Sequence, residues 1–303
     1  MASGGPGQPA APLGPLVVAC LAATWLVWGS TYLAIKWALI SLPPFFQMGT
    51  RFVGAGALMF AWSRWVRGAA LPTRRQWRHA LALGTLMLGG GMGGTATAEQ
   101  TIGSGLVVAF IAVMPMMVAV IERLFGVRPR SRELAGILVG FAGVLLLTQG
   151  AEFRASPAGL LAILVACSAW ALGSVLSQRS WPMAPGAIGH ASQMLCGGIV
   201  LLVLSWFTGE RPDWPPTLVS SLAWLYLLVF GSLLAFNAYM LLLSRTSAVL
   251  ASSYSLVNPI IALLLGVAVG KETVTPAEWV AVAIILLGVG LLLLQRARHG
   301  SAA

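Results

Sequence analysis

Apolar runs of the length an α-helix needs to cross a bilayer succeed one another along nearly the whole chain. They lie near 15–36, 43–63, 79–98, 103–121, 133–149, 158–178, 186–207, 219–243, 247–269 and 277–295. Roughly 20 apolar residues span the hydrocarbon core as a helix. Hydrocarbon offers no water to unpaired backbone groups, so each run reads as a helix. The fold class predicted is an all-α membrane protein of ten transmembrane helices. The longest connection, 64–78, carries Arg64, Arg67, Pro72, Arg74, Arg75 and Arg78, and no connection has room for a soluble domain. Only 9% of residues are charged and 58% are hydrophobic, where a soluble domain has about 25% charged.

The net charge of +10 belongs to the connections rather than to a basic domain. This argues against nucleic acid as a partner and for topology signals. With the N-terminus inside, thirteen Lys and Arg fall on the cytoplasmic side and four, Lys36, Arg154, Arg211 and Lys271, on the other. The expectation is therefore that both termini are cytoplasmic. Residues 1–14 read as a disordered tail and 298–303 as a short C-terminal tail. Cys20, Cys167 and Cys196 lie within apolar runs, without metal-ligand spacing, and read as small packing residues.

The chain also repeats. At a constant offset of 144 residues, Gly29-Ser30 falls on Gly173-Ser174, Trp37 on Trp181, Arg67 on Arg211, Pro72-Thr73 on Pro216-Thr217 and Pro115 on Pro259. After a one-residue slip, Gly143-Val144 meets Gly288-Val289. The halves are 15–149 and 158–297, with five spans each. An odd number of spans per half places the second half in the membrane the other way up, the inverted arrangement found in many transporters.

The run Trp28-Gly-Ser-Thr-Tyr-Leu-Ala-Ile-Lys-Trp-Ala-Leu39, Arg51-Phe52 within the second span, Pro115 in the fourth, and Pro259 followed by Glu272 are similar to the EamA type of the drug/metabolite transporter superfamily. The first half departs from the pattern, with Arg128 at the spacing of Glu272 and Glu122 placed earlier. The resemblance implies a basket in which helices 1–4 and 6–9 surround a cavity while helices 5 and 10 buttress it. It also implies a monomer that exports small metabolites, commonly amino acids, across the bacterial inner membrane.

Candidate site residues are those that hydrocarbon would not tolerate. Arg51 is the one charge well inside a span. It can offer a fork of donors to a carboxylate, snorkel outward, or pair with Glu99. Trp28 and Trp170 sit near mid-depth, where an interfacial belt does not explain them; with Met48 they can wall a pocket or serve packing alone. Ser30, Tyr32, Gln193, Asn237 and Tyr254 are polar at mid-span and complete the substrate-binding set. Asn258 can either relieve the backbone freed by Pro259 or reach a substrate. Pro115 and Pro259 displace the carbonyls four residues back and mark hinges or static kinks. His190 opens the seventh span as a proton carrier or an interfacial residue. The run Gly89-Gly90-Gly91-x-Gly93-Gly94 contains no nucleotide-loop pattern and can let the third helix bend, while Gly136-x3-Gly140-x2-Gly143 suits close helix packing.

No paired carboxylates, metal set or triad is present, so the chain reads as no enzyme and needs no cofactor or metal. Its expected partners are the lipid bilayer and a small-molecule substrate. The function expected is secondary transport of small organic metabolites by alternating access. Amino acids, aromatic ones among them, are the first choice of substrate, and a broad drug or nucleobase exporter is the alternative.

Overall fold

The computed structural model describes residues 14–100, 107, 110–127, 130–147, 156–270 and 275–294. Most of both tails and Glu272 thus lie outside the described residues. Within them every regular element is helical. The first five are α1 (Pro15–Ala38), α2 (Pro44–Ala61, prolonged by a π turn Trp62–Val66), α3, α4 (Met114–Leu124) and α5 (Ser131–Leu147). The next five are α6 (Pro157–Arg179), α7 (Ala187–Phe207), α8, α9 and α10 (Pro276–Leu293). Three are composite. α3 runs Arg74–Gly84, continues as a π-helix over Thr85–Met92 and ends as Gly93–Glu99. α8 repeats that plan with Leu218–Tyr226, a π-helix Leu227–Phe236 and Asn237–Arg245. α9 begins as Ala248–Ala251, breaks at Ser252 and Ser253, and resumes as Tyr254–Gly270.

Helix starts follow their local chemistry. Thr73 accepts from the Gln76 amide, and Gln76 returns a carboxamide oxygen to the Thr73 N–H; Thr275 and Glu278 form the same box on α10. Such boxes satisfy two orphan donors at once. Thr217, the repeat mate of Thr73, accepts from Ser220 N at the start of α8. Pro44, Pro157 and Pro276 occupy first-turn positions, where a missing N–H costs nothing. The box draws the start of α3 back to Arg74, into the stretch expected to be loop.

Six helices among the described residues are long and apolar enough to cross a membrane: Pro15–Ala38, Pro157–Arg179, Ala187–Phe207, Leu218–Arg245, Ala248–Leu265 and Pro276–Leu293. The other helices fall short for visible reasons. α5 covers 17 residues, α2 carries Gln47 and Arg51, and α3, charged in its first turns by Arg74, Arg75 and Arg78, is diluted beyond them by the glycines of the 89–94 run.

The helices pack in a pattern that survives exchange of the two halves. α2 lies along α7, and α5 along α10. α1 packs on α8 and α9, as its counterpart α6 packs on α3 and α4; α3 meets α7 as α8 meets α2. Several seams are tight enough to require glycine, among them α2–α7 and α5–α10. A Cβ on Gly198 would sit 2.8 Å from Val53 N and 3.0 Å from Gly49 O, and one on Gly143 would sit 2.9 Å from Ile285 N. The second contact belongs to the α5–α10 seam, where a Cβ on Gly288 would run into the backbone of Gly140. The Gly136, Gly140 and Gly143 spacing does serve close helix packing.

One end of the bundle is tied across the halves. Ser220 Oγ donates to Ala38 O at 2.6 Å, and Phe45 N and Phe46 N donate to the two carboxylate oxygens of Glu210 at 3.0 and 2.8 Å. Glu210 thereby caps α2 from the α7–α8 connection. Elsewhere Gln178 Nε2 donates to the carbonyls of Leu243 and Thr246, joining α6 to the end of α8.

Candidate functional site: an aromatic-walled cavity

A cavity with about 760 Å³ of free space, its open mouth included, lies among α1, α2, α3, α4, α6, α8 and α9. Six residues picked out from the sequence line it: Trp28, Met48, Arg51, Trp170, Tyr254 and Asn258. Along α1 the lining runs from Trp28 through Thr31 to Ile35, toward the helix's C-terminal end.

One wall is an aromatic cluster. Trp28 meets Tyr254 edge-on at 4.5 Å between centroids and Trp170 edge-on at 5.7 Å. Tyr239 lies against Trp28, Trp170 and Tyr254 at 5.2, 5.4 and 5.6 Å. These separations and tilts are those that ring quadrupoles favour. The polar tips are satisfied internally. Trp170 Nε1 donates to Tyr239 Oη at 3.1 Å, Tyr239 Oη and Ser174 Oγ share a 2.7 Å bond, and Ser174 Oγ reaches Trp170 O at 2.7 Å. Trp28 Nε1 donates to Gly231 O at 3.3 Å, inside the π-helix of α8. Trp28, Trp170 and Tyr239 therefore spend their N–H and O–H groups on one another and on neighbouring helices, and Trp28 and Trp170 line the cavity with their rings.

Arg51 is set differently. It is 2% exposed, and its Nε and Nη1 have no hydrogen-bond partner. Its Nη2 faces Met92 Sδ at 3.8 Å, and its guanidinium carbon lies 5.0 Å from the centre of the Phe52 ring. A thioether and the face of a phenyl ring leave Nε and Nη1 without an acceptor, and those donors match a carboxylate. Asn258, 3% exposed, also has an unpartnered atom, Oδ1. The Glu99 side chain lies outside the described residues.

The decisive comparison is with known families. The model of the EamA-like transporter family matches residues 15–149 and again 157–294. The chain belongs to the EamA-like transporter family. Membership makes it a membrane transporter rather than an enzyme, in the drug/metabolite transporter superfamily. The chain is 38% identical over 277 residues to "Uncharacterized inner membrane transporter YedA" of Escherichia coli (strain K12), covering 91% of this chain and 90% of that one. It is 28% identical over 263 residues to "Protein PecM" of Dickeya dadantii (strain 3937), covering 86% of each. A solved crystal structure aligns at a TM-score of 0.77 and 22% identity over 91% of this chain and 96% of that one, so the two share a fold.

In this EamA-like transporter the lining among the described side chains does not include Ser30, Gln193, Asn237, His190, Pro115 or Pro259. Ser30 Oγ turns back to Val27 O at 2.7 Å and bonds Tyr226 Oη at 2.6 Å. Gln193, fully buried on α7, places Nε2 3.2 Å from Met87 Sδ in the π-helix of α3. Asn237 donates to Leu233 O at 2.7 Å within its own helix and bonds His190 Nδ1 at 3.0 Å. His190 is half-buried in the first turns of α7 and engaged with a neighbouring helix rather than standing alone. Tyr32 lies in α1, but its side chain is outside what is described. Pro115 stands in the first turn of α4, just after a break at Val113, whereas Pro259 lies inside α9.

Several lining residues escaped the sequence reading, among them Ile111, Met114 and Thr95, and Gly91 stood out there only as part of a bend. Two were within reach of the repeat, because an offset of 144 carries Met114 onto Asn258 and Thr95 onto Tyr239. The two π-helices are also repeat mates, since Thr85–Met92 shifted by 144 falls inside Leu227–Phe236. Each supplies lining, Gly91 and Met92 from one and Gly231 from the other, in keeping with the frequent siting of π segments at functional sites.

Proposed function

We propose that this protein is a secondary transporter that carries small organic metabolites across a bacterial inner membrane by alternating access. Amino acids, aromatic ones included, are its leading substrates. In this reading ten helices span the bilayer as two inverted five-helix repeats, 15–149 and 158–297. The tails at 1–14 and 298–303 lie in the cytoplasm, and the chain works as a monomer without a cofactor. Support for the duplication comes from the packing pattern, which is unchanged on exchanging the halves, and support for the inversion from the odd number of apolar runs in each half. Support for the location comes from the name of the Escherichia coli relative.

The observation that carries the substrate reading is Arg51, buried on the cavity wall with Nε and Nη1 unmet. A cation held at that depth costs several kcal/mol unless a counter-charge or water meets it. A substrate carboxylate would supply the counter-charge in the fork geometry that guanidinium prefers. The faces of Trp28, Trp170 and Tyr254 would receive a planar or apolar side chain. The same aromatic wall favours the second reading, export of planar drugs or nucleobase-like solutes, which would use the rings and leave Arg51 without a counter-ion.

The test is counterflow in proteoliposomes preloaded with unlabelled amino acids, nucleobases or cationic dyes. Saturable entry of tracer against an amino-acid load is the expected result. Saturable entry with nucleobases or dyes alone would overturn the substrate class, and unsaturable leak across the panel would replace the carrier with a pore.

A further inference from the structure

Asn258 lines the cavity from α9, whereas Arg51 reaches it from α2. Its Oδ1 is buried and has no hydrogen-bond donor. Buried amide oxygens are nearly always paired, so this one asks for an explanation. The neighbouring proline does not provide it. Pro259 frees the carbonyl of Ser255, which needs a donor, and an amide oxygen can only accept. Ser255 Oγ donates instead to Ser252 O at 2.9 Å. Two residues of the lining thus carry unmet groups of opposite kind just behind the cavity surface: guanidinium donors on α2 and an amide acceptor on α9.

We propose that Asn258 is the amine-reading residue of the cavity. Its Oδ1 accepts a hydrogen bond from the ammonium of a substrate whose carboxylate is held by Arg51. The ligand class is then the amino-carboxylate with an apolar or aromatic side chain, rather than carboxylates at large. The inference rests on the carboxylate reading of Arg51. The remaining ammonium N–H groups face the aromatic wall, where Trp28, Trp170 and Tyr254 offer ring surfaces to a cation. A neutral amide selects the amine by hydrogen bonding alone, so deaminated analogues should bind more weakly without being excluded.

The experiment is counterflow with two solutes that differ only in the amine, L-phenylalanine and 3-phenylpropanoate, in wild type, Asn258→Leu, Asn258→Asp and Arg51→Ala. Wild type should half-saturate with phenylalanine at roughly tenfold lower concentration, the scale of one hydrogen bond to a charged group. Asn258→Leu should raise the phenylalanine value by about the same factor and leave 3-phenylpropanoate unchanged. Asn258→Asp keeps an acceptor of the same shape and should hold or widen the preference. A general folding defect would move both solutes together in both variants, and that result overturns the proposal. If Arg51→Ala abolishes exchange of both solutes while Asn258→Leu keeps the wild-type preference, the carboxylate reading stands and the amine reading falls. If wild type exchanges neither solute, both fall.

Discussion

At the scale of the residue, Arg51 and Ser30 show what a polar side chain in a span can mean. Both stand out in an apolar chain, yet only Arg51 reaches the cavity with donors unmet. Ser30 spends its hydroxyl on Val27 O and Tyr226. Gln193 and Asn237 likewise sit between helices. A sequence reports that a polar group lies at mid-depth; it does not report which way the helix is turned, and one step along a helix rotates a side chain by roughly 100°. Arg51 was legible because a charge has few structural uses at that depth. Met114 and Ile111 were not, because an apolar residue looks the same facing lipid, core or cavity. The role given to Arg51 makes a quantitative prediction. Wild type should prefer phenylalanine over phenylalanine amide, and Arg51→Gln should reduce that preference by about 10- to 100-fold, the range expected for charge-assisted hydrogen bonds. Competition counterflow with the two solutes measures it. A preference retained in Arg51→Gln would assign carboxylate recognition elsewhere.

At the scale of the element, glycine spacing and helix caps were readable, and the π-helices were only half so. The Gly89–Gly94 run pointed to a bend in α3, and a π segment occupies Thr85–Met92. The matching segment in α8, Leu227–Phe236, contains one glycine and carries no such signal; only the repeat offset would have located it. The α5–α10 seam is a sharper case. Close approach at Gly136, Gly140 and Gly143 was expected from their spacing; Gly288 meets the first two from α10, and Ile285 and Ala281 meet Gly143. Gly290, two residues on, has open space where its Cβ would be. Gly288→Leu should therefore destabilise the fold by ~1–3 kcal/mol or abolish expression, as overpacking of a tight contact does. Gly290→Leu should be close to neutral. Thermal unfolding in detergent distinguishes the two, and equal loss in both variants would mean that the seam is not what requires glycine.

At the scale of the whole molecule, the constant 144-residue offset was the most informative feature of the sequence. The family match falls on both halves, and helix packing maps onto itself when they are exchanged. Exchange symmetry did not extend to the chemistry. Arg51 falls on Leu195 and Trp28 on Leu172 at that offset, so the repeat builds a shared frame and each half furnishes it differently. The central claim is that the two halves face the bilayer in opposite senses, so that one cavity can open to either side in turn. Arg67 and Arg211 are exposed repeat mates in corresponding connections. With Cys20, Cys167 and Cys196 replaced by serine, Arg67→Cys and Arg211→Cys can each be probed in intact bacteria with a membrane-impermeant thiol reagent. The account predicts that Arg211→Cys is labelled directly, while Arg67→Cys is labelled only after the cells are permeabilised. Labelling of both positions from the same side would contradict the inversion, and with it the alternating-access mechanism built on it.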